Sequence, residues 1–578
     1  MGEQRISIGL WVGGDVSPIR NADAVRAVQN LMRGDHENPF VILNCPWCGA
    51  EMGPVKHGNA YYVKGYHQRQ NPARVEFCCD DPNCNFGRPE GLPLHVVDEA
   101  IYNHRPTLVI GTVDKFALLP WRPEARSLFG LESNGLISPP DLIIQDELHL
   151  ISGALGSMVG HYEGVLEGLC TDTRNGHKVL PKIIASTATI CRASEQVKAL
   201  YAREVELFPP QGLKAGDSFF AEERQDVPGR VYAGVFGSAL SSLITAQIRV
   251  VSALLQSVKC VSVTDPRVLD PYMTLMVYFN SLRELGHAAT LIKADIREYM
   301  NAMWDRLNIR KPEPGSAEPD RRRFINRDRE LTSRIASSRV SEALEELFAI
   351  YKEGEDARFI DICLATNMIQ VGLDVPRLGL MTVVGQPKTT SEYIQATSRV
   401  GRQHPGLVVT IYNPARPRDR SHYEHFRSYH ENIYRWVEPT SVTPFAVPVR
   451  ERALHAQIIT LVRYWGNRTV RERPQPPPPD DLFGKIRNVL MDRVRVVDPG
   501  EAGSTDRNIT DIISDWRRIQ PPRYGDFGYP HPEIPLMHPS GSQVLPEWQN
   551  QSLPTPTSMR NVDEECNAEL ITNFVIEN

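Results

Sequence analysis

Apolar positions along this chain fall into short unbroken runs rather than alternating ones. The first third carries them in "PTLVIGTVDKF", "DLIIQDELHL" and "KIIASTATI". Between residues 227 and 417 they recur in "YMTLMVYFN", "FIDICLATN", "LGLMTVVGQ" and "LVVTIYN". A half-solvated strand alternates apolar with polar, so runs of this kind predict parallel strands covered on both faces. Stretches with helical spacing lie between them, for example residues 338–351. Strand and helix alternating twice in series predict an α/β class with two doubly wound sheets. The expected boundaries are 1–215, 216–420 and a mixed C-terminal region, 421–578. A cysteine-bearing insert at about 44–86 interrupts the first of these. The Pro- and charge-rich stretch 311–330 predicts a mobile loop, and the four prolines at 476–479 a stiff connection. The tail beyond them holds only weak periodicity, and no repeat of 20–50 residues is found.

Composition narrows the class. With 41% hydrophobic and 23% charged residues the chain is ordinary globular protein. No run of about 18 apolar residues exists, so no membrane span is expected. Residues 1–10 lack the basic-then-apolar pattern of a signal peptide. Lys and Arg total 64 against 70 Asp and Glu, a net charge of −6, so any nucleic-acid contact must come from a local patch. Ten cysteines in 578 residues are too sparse for a disulfide scaffold, and a cytoplasmic location is expected.

The chemistry starts at "DLIIQDELH", which sets Asp146 and Glu147 just past an apolar run. Carboxylates at a strand's C-terminal end lie at the crevice where α/β sheets bind ligands. Such a pair suits nucleotide hydrolysis, one acid holding Mg2+ and the next orienting the attacking water. The bland alternative, a polar turn after a buried strand, is as good for the tetrapeptide alone. Further segments shift the balance. "STAT" places Thr187 and Thr189 after another apolar run, and "ATNMIQVGLDVP" holds Thr366, Gly372 and Asp374. "QATSRVGRQ" holds Gln395, Arg399 and Arg402, the arginines spaced to share one helical face. Guanidinium forks suit phosphate oxygens.

In their order these segments resemble the motifs of superfamily 2 helicases. Asp146, Glu147 and His149 match the DExH box (motif II), and Thr187 to Thr189 motif III. Residues 276–282, "MVYFNSL", match motif IV, and Thr366, Gly372 and Asp374 motif V. Gln395, Arg399 and Arg402 match motif VI, and "GTVDKF" resembles motif Ib. The resemblance covers residues 107–413. A closer likeness, in "GLWVGG", "CPWCG", "QDELHLISGALGSMVGHYE", "ELTSRIASSRV" and "SMRNVD", is to the helicase subunit of the bacterial DISARM anti-phage system, with DUF1998-bearing repair helicases as relatives. It implies two RecA-like domains in tandem, ATP and Mg2+ as cofactors, and DNA, single-stranded or duplex with an overhang, as partner. Catalysis falls to Asp146, Glu147, His149, Gln395, Arg399 and Arg402, with Gly372, Asp374, Thr187 and Thr189 lining the nucleotide. Thr112, Lys115 and Thr366 carry over as phosphate contacts on the nucleic acid.

One part is missing. The superfamily's phosphate loop, G-x-x-x-x-G-K-S/T, belongs upstream of motif II, and this sequence has none. "GQPKTTS", residues 385–391, is a decoy: Pro387 removes a backbone donor that a phosphate nest needs. The first RecA-like domain is therefore expected to be incomplete, with unpaired edges and apolar surface that invite an N-terminal helicase half or another defence subunit. Negligible ATPase activity is expected of the polypeptide alone, and enzyme status stays open. A non-catalytic nucleic-acid-binding or scaffold subunit is the rival reading.

The insert carries Cys45 and Cys48 in "CPWCG", then Cys78, Cys79 and Cys84 in "FCCDDPNCNF". Two short-spaced pairs fit a tetrahedral zinc site, and Cys45, Cys48, Cys79 and Cys84 are the assigned ligands. Cys78 remains an alternative to Cys79, with His57 or His67 as substitutes. The zinc would hold an insert too small for its own core. Residues 422–436 interleave aromatic and basic side chains, but Tyr423, Phe426, Tyr429, Ile433 and Trp436 recur at helical spacing, which reads as a core stripe before a base-stacking surface. "DRRR", residues 320–323, reads as a solvated loop.

Overall fold

The computed structural model describes the chain apart from residues 1–5, 14–16, 35–37, 58–59, 88, 90, 132–136, 188–190, 211, 215–216, 223, 225, 239, 241, 264, 314–319, 333–336, 352–358, 367–373, 527–532, 543–544, 549–550 and 561–578. Two compact units result. The first joins Met1–Thr187, Arg192–Glu206 and Thr440–Asn578; the second joins Ala188–Cys191 and Leu207–Pro439.

The second unit is built on a six-stranded, all-parallel sheet. Its strands lie in the order Arg230–Phe236, Gly406–Tyr412, Leu380–Val384, Leu275–Phe279, Ile362–Ala365, Asp328–Leu331. The three central strands are buried at every position, as their unbroken apolar runs predict. The pleat splits them between two cores. Met276, Tyr278, Cys363 and Met381 pack with Leu347, Tyr393 and Ala396. Leu275, Val277, Ile362 and Leu364 pack with Leu255, Leu285 and Ile296.

Part of the stretch expected to be a mobile loop is built into this unit. Asp328–Leu331 is the edge strand, paired with Ile362–Ala365. Arg323, expected in a solvated loop, is buried; it pairs with Asp361 at 2.5 Å and donates to the Met273 carbonyl at 2.8 Å. The buried guanidinium is held by a carboxylate and by the Met273 and Phe324 carbonyls, partners that a run of three arginines does not reveal.

Among the described residues the first unit contains three small parallel sheets. One orders Leu94–His95, Ile8–Trp11 and Leu108–Gly111, a second pairs Leu142–Gln145 with Lys182–Ala185, and a third pairs Met537–Pro539 with Leu553–Thr555. Leu108–Gly111, Leu142–Gln145 and Lys182–Ala185 form where the apolar runs predict strands, whereas Ile8–Trp11 and Leu94–His95 lie outside those runs; Leu108, Ile110, Leu142, Ile144 and Ile184 are exposed. The described residues do not supply the two-sided cover that parallel strands require.

The main core of this unit is helical. Gly153–Cys170 packs against Val447–Trp465, and Asp480–Val497 and Ala502–Ile519 complete the layer through Leu490, Ile509 and Trp516. From Thr440 onward the C-terminal region thus belongs with the first unit, and its weakly periodic tail contains two 18-residue helices. The cysteine-bearing insert forms two hairpins, Gly53–His57 with Ala60–Lys64 and Tyr66–Gln70 with Ala73–Phe77. It is not coreless. The preceding helix Asn21–Met32 contributes Ala24, Val28 and Leu31 to a core around Phe40, Tyr66 and Phe77, whose rings meet edge to face at 5.1–5.6 Å. No helix among the described residues is long and apolar enough to cross a membrane.

Candidate functional site

Strand Leu142–Gln145 delivers the acid pair into a tight turn. Asp146 is exposed, and its Oδ1 accepts hydrogen bonds from the Ser186 hydroxyl and from the Glu147 amide at 3.0 Å. Glu147 takes a left-handed conformation, φ 50°, which costs a non-glycine residue about 1 kcal/mol and re-aims the carboxylate away from the strand direction. The ladder runs on past the strand, with the Ser186 amide donating to the Gln145 carbonyl and the Leu148 amide to the Ser186 carbonyl, both at 2.9 Å. Segments II and III are therefore locked in register by backbone.

His149 Nδ1 lies 3.3 Å from Glu147 Oε2 and 3.4 Å from Thr187 Oγ1. One ring nitrogen thus meets both the Glu147 carboxylate and the Thr187 hydroxyl. Two residues of this turn carry no sequence signal of their own. Ser186 holds Asp146. Gln196, 2% exposed on helix Ala193–Tyr201, donates to the carbonyls of Ile151 at 2.8 Å and Leu148 at 3.3 Å.

In the second unit, helix Thr390–Thr397 begins with a capping box, Thr389 and Glu392, and buries Gln395. It ends at Thr397, so Arg399 and Arg402 do not share a helical face as their spacing predicts. They sit in the turn that follows, where Gly401 adopts φ 75°. Arg402 pairs with Asp374, joining segments V and VI. Thr366 closes strand Ile362–Ala365 and is buried. Thr189 and Gly372 lie outside the described residues.

The decoy loop after strand Leu380–Val384 has its amides occupied. Gln386 donates to Asp419, Lys388 and Thr389 to Glu392, and Thr390 to Glu438. Three carboxylates already sit where a phosphate would compete, so the loop is no phosphate cradle.

Motif Ib divides. Thr112 is exposed. Lys115, expected to touch a nucleic-acid phosphate, is instead 2% exposed and paired with buried Asp98 at 2.6 Å. Burial pushes the Asp98 carboxyl up and the Lys115 ammonium down, and their contact opposes both shifts. A lysine committed to a buried pair cannot leave it for a phosphate without stranding the carboxylate. The expected aromatic stripe also breaks up. Tyr429 is core and Phe426 and Ile433 are half-buried, but Tyr423 and Trp436 are exposed, because two short helices and a 3-10 turn replace one long helix.

The sulfurs of Cys45, Cys48, Cys79 and Cys84 lie within 4.8 Å of one another, with 3.4 Å between Cys48 and Cys79 and 3.9 Å between Cys45 and Cys84. Zn–S bonds of about 2.3 Å in a tetrahedron set sulfurs about 3.8 Å apart. Gly49, φ 78°, makes the knuckle turn and donates to the Cys45 carbonyl at 2.9 Å. Cys78 is buried outside the cluster, and His67 pairs instead with Asp80. The four sulfurs thus fit the tetrahedral ion expected from the spacing.

Residues 322–404 match the helicase conserved C-terminal domain. Over 553 residues the chain is 37% identical to the DISARM protein DrmA of Bacillus paralicheniformis, covering 89% of this chain and 48% of that one. The chain therefore spans about half the length of this curated relative. Among solved structures it is similar to the DUF1998 helicase MrfA bound to DNA and AMPPNP, at 15% identity and a TM-score of 0.42 over 79% of this chain and 48% of that one. It is also similar to Mycobacterium smegmatis helicase Lhr bound to ssDNA and AMP-PNP, at 13% identity and a TM-score of 0.43 over 90% and 50%. The domain match and the DrmA identity bear out the resemblance drawn from the motifs.

Proposed function

We propose that this chain carries motifs II to VI of an ATP-dependent superfamily 2 DNA translocase of DISARM-type phage defence. Its phosphate loop would come from an N-terminal helicase half. Asp146, its Oδ1 held by two donors, would offer Oδ2 to Mg2+, which would supply positive charge to neutralise phosphate. Glu147 orients the attacking water, and His149 relays its setting to Thr187. Arg399 and Arg402 stabilise the developing phosphate charge, with Gly372 and Asp374 beside the nucleotide; the Arg402–Asp374 pair must then open when phosphate arrives. Thr112 and Thr366 are the remaining candidates for sequence-blind contact to a DNA backbone. Zinc in the four-cysteine cluster staples the insert.

The observation that carries this reading is an intact, internally braced DELH turn on strands whose apolar side chains are exposed. Such a face supports a missing cover, and the missing cover supports a missing loop. The absent G-x-x-x-x-G-K-S/T favours one rival, a non-catalytic DNA-binding or scaffold subunit. DNA-stimulated phosphate release separates the two. The chain is assayed alone and with the N-terminal half of a DrmA-type protein, each against Glu147→Gln. The reading expects no release alone, recovery with the added half, and loss in Glu147→Gln. Silence under both conditions favours the scaffold.

A further inference from the structure

Gln196 and Glu438 stand outside every motif, yet both are engaged by the motifs. They are linked through residues 437–444, "VEPTSVTP", the stretch in which the chain leaves the second unit at Pro439 and re-enters the first at Thr440. On the second-unit side, the Glu438 carboxylate accepts the Thr390 amide at 2.8 and 3.0 Å and the Thr390 hydroxyl at 3.1 Å. Glu438 thereby anchors the start of helix Thr390–Thr397, whose far end leads into Arg399 and Arg402.

On the first-unit side, the Thr440 hydroxyl donates to Gln196 Oε1 at 2.9 Å. The amide nitrogen of the same side chain donates to the Leu148 and Ile151 carbonyls, which bracket His149. Gln196 is thus a buried amide with its acceptor committed to the strap and its donors to the DELH turn. The next residues are seated firmly. The Ser441 carbonyl accepts the Gly153 amide at 3.0 Å, and the Thr443 amide donates to Ser157 Oγ at 2.9 Å. Helix Gly153–Cys170 leaves room for them, since a Cβ on Gly156 would meet Val442 at 2.9 Å and one on Gly160 would meet Pro444 at 2.8 Å.

Each contact lies within its own unit, and the covalent chain runs directly from one to the other at Pro439–Thr440. Glu438 and Thr440 are two residues apart, at most about 7 Å between Cα atoms, and Pro439 between them has a fixed φ. We propose that residues 438–440 form a coupling strap. Glu438, Thr440 and Gln196 are positioning residues that tie the setting of the DELH turn to the seating of the arginine-bearing helix. Its meaning for catalysis rests on the proposed nucleotide site; its mechanical claim does not.

Peptide-resolved hydrogen exchange on the full chain tests the mechanical claim. Glu438→Ala is expected to speed exchange at Thr390 and also, across the strap, at residues 145–152, by about three- to tenfold, as for one hydrogen bond lost. Thr440→Val should speed residues 145–152 by itself and leave Glu438→Ala nothing further to add there. Thr440→Ser, which keeps the hydroxyl, should restore the wild-type pattern and exclude a general folding defect. Glu438→Ala effects confined to residues 386–397, or full additivity at 145–152, overturn the strap. In the motor reconstituted with the N-terminal half, Thr440→Val is expected to lower kcat about tenfold with the KM for ATP within about twofold. An unchanged kcat overturns the catalytic role. A motor that never hydrolyses ATP counts against the proposed function, and the exchange data still decide the strap.

Discussion

Two parallel strands, each ending beside a helicase motif, sit in opposite surroundings. Leu275–Phe279 in the second unit is buried at all five positions, between two cores and two neighbouring strands. In the first unit, Leu142–Gln145 has one neighbour among the described residues, and its Leu142 and Ile144 are 46% and 61% exposed. The chemistry of the runs is the same, so the contrast measures cover rather than propensity. Each of the five exposed aliphatic side chains on the first unit's strands stands to gain about 1 kcal/mol from further burial. That sum, about 5 kcal/mol, favours association with a complementary polypeptide but needs further contacts to reach micromolar affinity. Among the described residues the first unit is well covered where the helices and the cysteine insert lie and open beside the acid pair.

The largest effect is expected at the four-cysteine cluster of the insert. Cys79→Ser should remove bound zinc and unfold the insert, since zinc binding in such sites is worth about 10 kcal/mol. Cys78→Ser should keep the metal. Zinc content and proteolysis of residues 44–86 report both, and equal loss in the two variants would mean the wrong cysteine was chosen. Next, Leu275→Ala should cost about 2–5 kcal/mol of stability, against less than about 1 kcal/mol for Ile144→Ala. Denaturant titration of the chain alone compares them, and a large loss for Ile144→Ala would erase the contrast between the strands.

The helical core of the first unit holds a pH-dependent element. Burial raises the Glu163 carboxyl to about 7, partly offset by Arg493. Between the ordinary carboxylate range and pH 7 the folded chain keeps a proton that the unfolded chain has lost. Stability therefore falls as pH rises through that window and levels off above it. Glu163→Gln should flatten the slope and exceed wild type at pH 8 by about 1–3 kcal/mol, while matching it near pH 4.5. Identical slopes would show that Glu163 is ionised throughout. The smallest effect belongs to the partly exposed Arg402–Asp374 pair. Asp374→Asn should change stability by less than about 1 kcal/mol, as thermal melting would show.

Much of this was legible in the residues. The strand runs, the DELH and arginine segments and the four zinc-type cysteines all carry local signals: unbroken apolar runs, charge at strand ends, paired spacing around a glycine turn. What stayed hidden depends on distant partners. Lys115 looks like a phosphate ligand until Asp98 closes on it, and Arg323 looks solvated until Asp361 does. Gln196 has no motif at all and gains its role from three groups far along the chain. Gly156 and Gly160, four residues apart on one helical face, allow a close approach that only the distant residues 442–444 reveal.

The central claim is that the exposed strand face of the first unit is the seat of the polypeptide that completes the nucleotide site. Its most direct test is the affinity of the isolated N-terminal half of a DrmA-type protein for this chain, measured by calorimetry with wild type and with Ile144→Asp combined with Ile184→Asp. Micromolar or tighter binding to wild type is predicted, weakened at least about a hundredfold by the two aspartates, which would place charge in a buried contact. Equal binding to both chains, or ATP hydrolysis by this chain alone that Glu147→Gln abolishes, would contradict it.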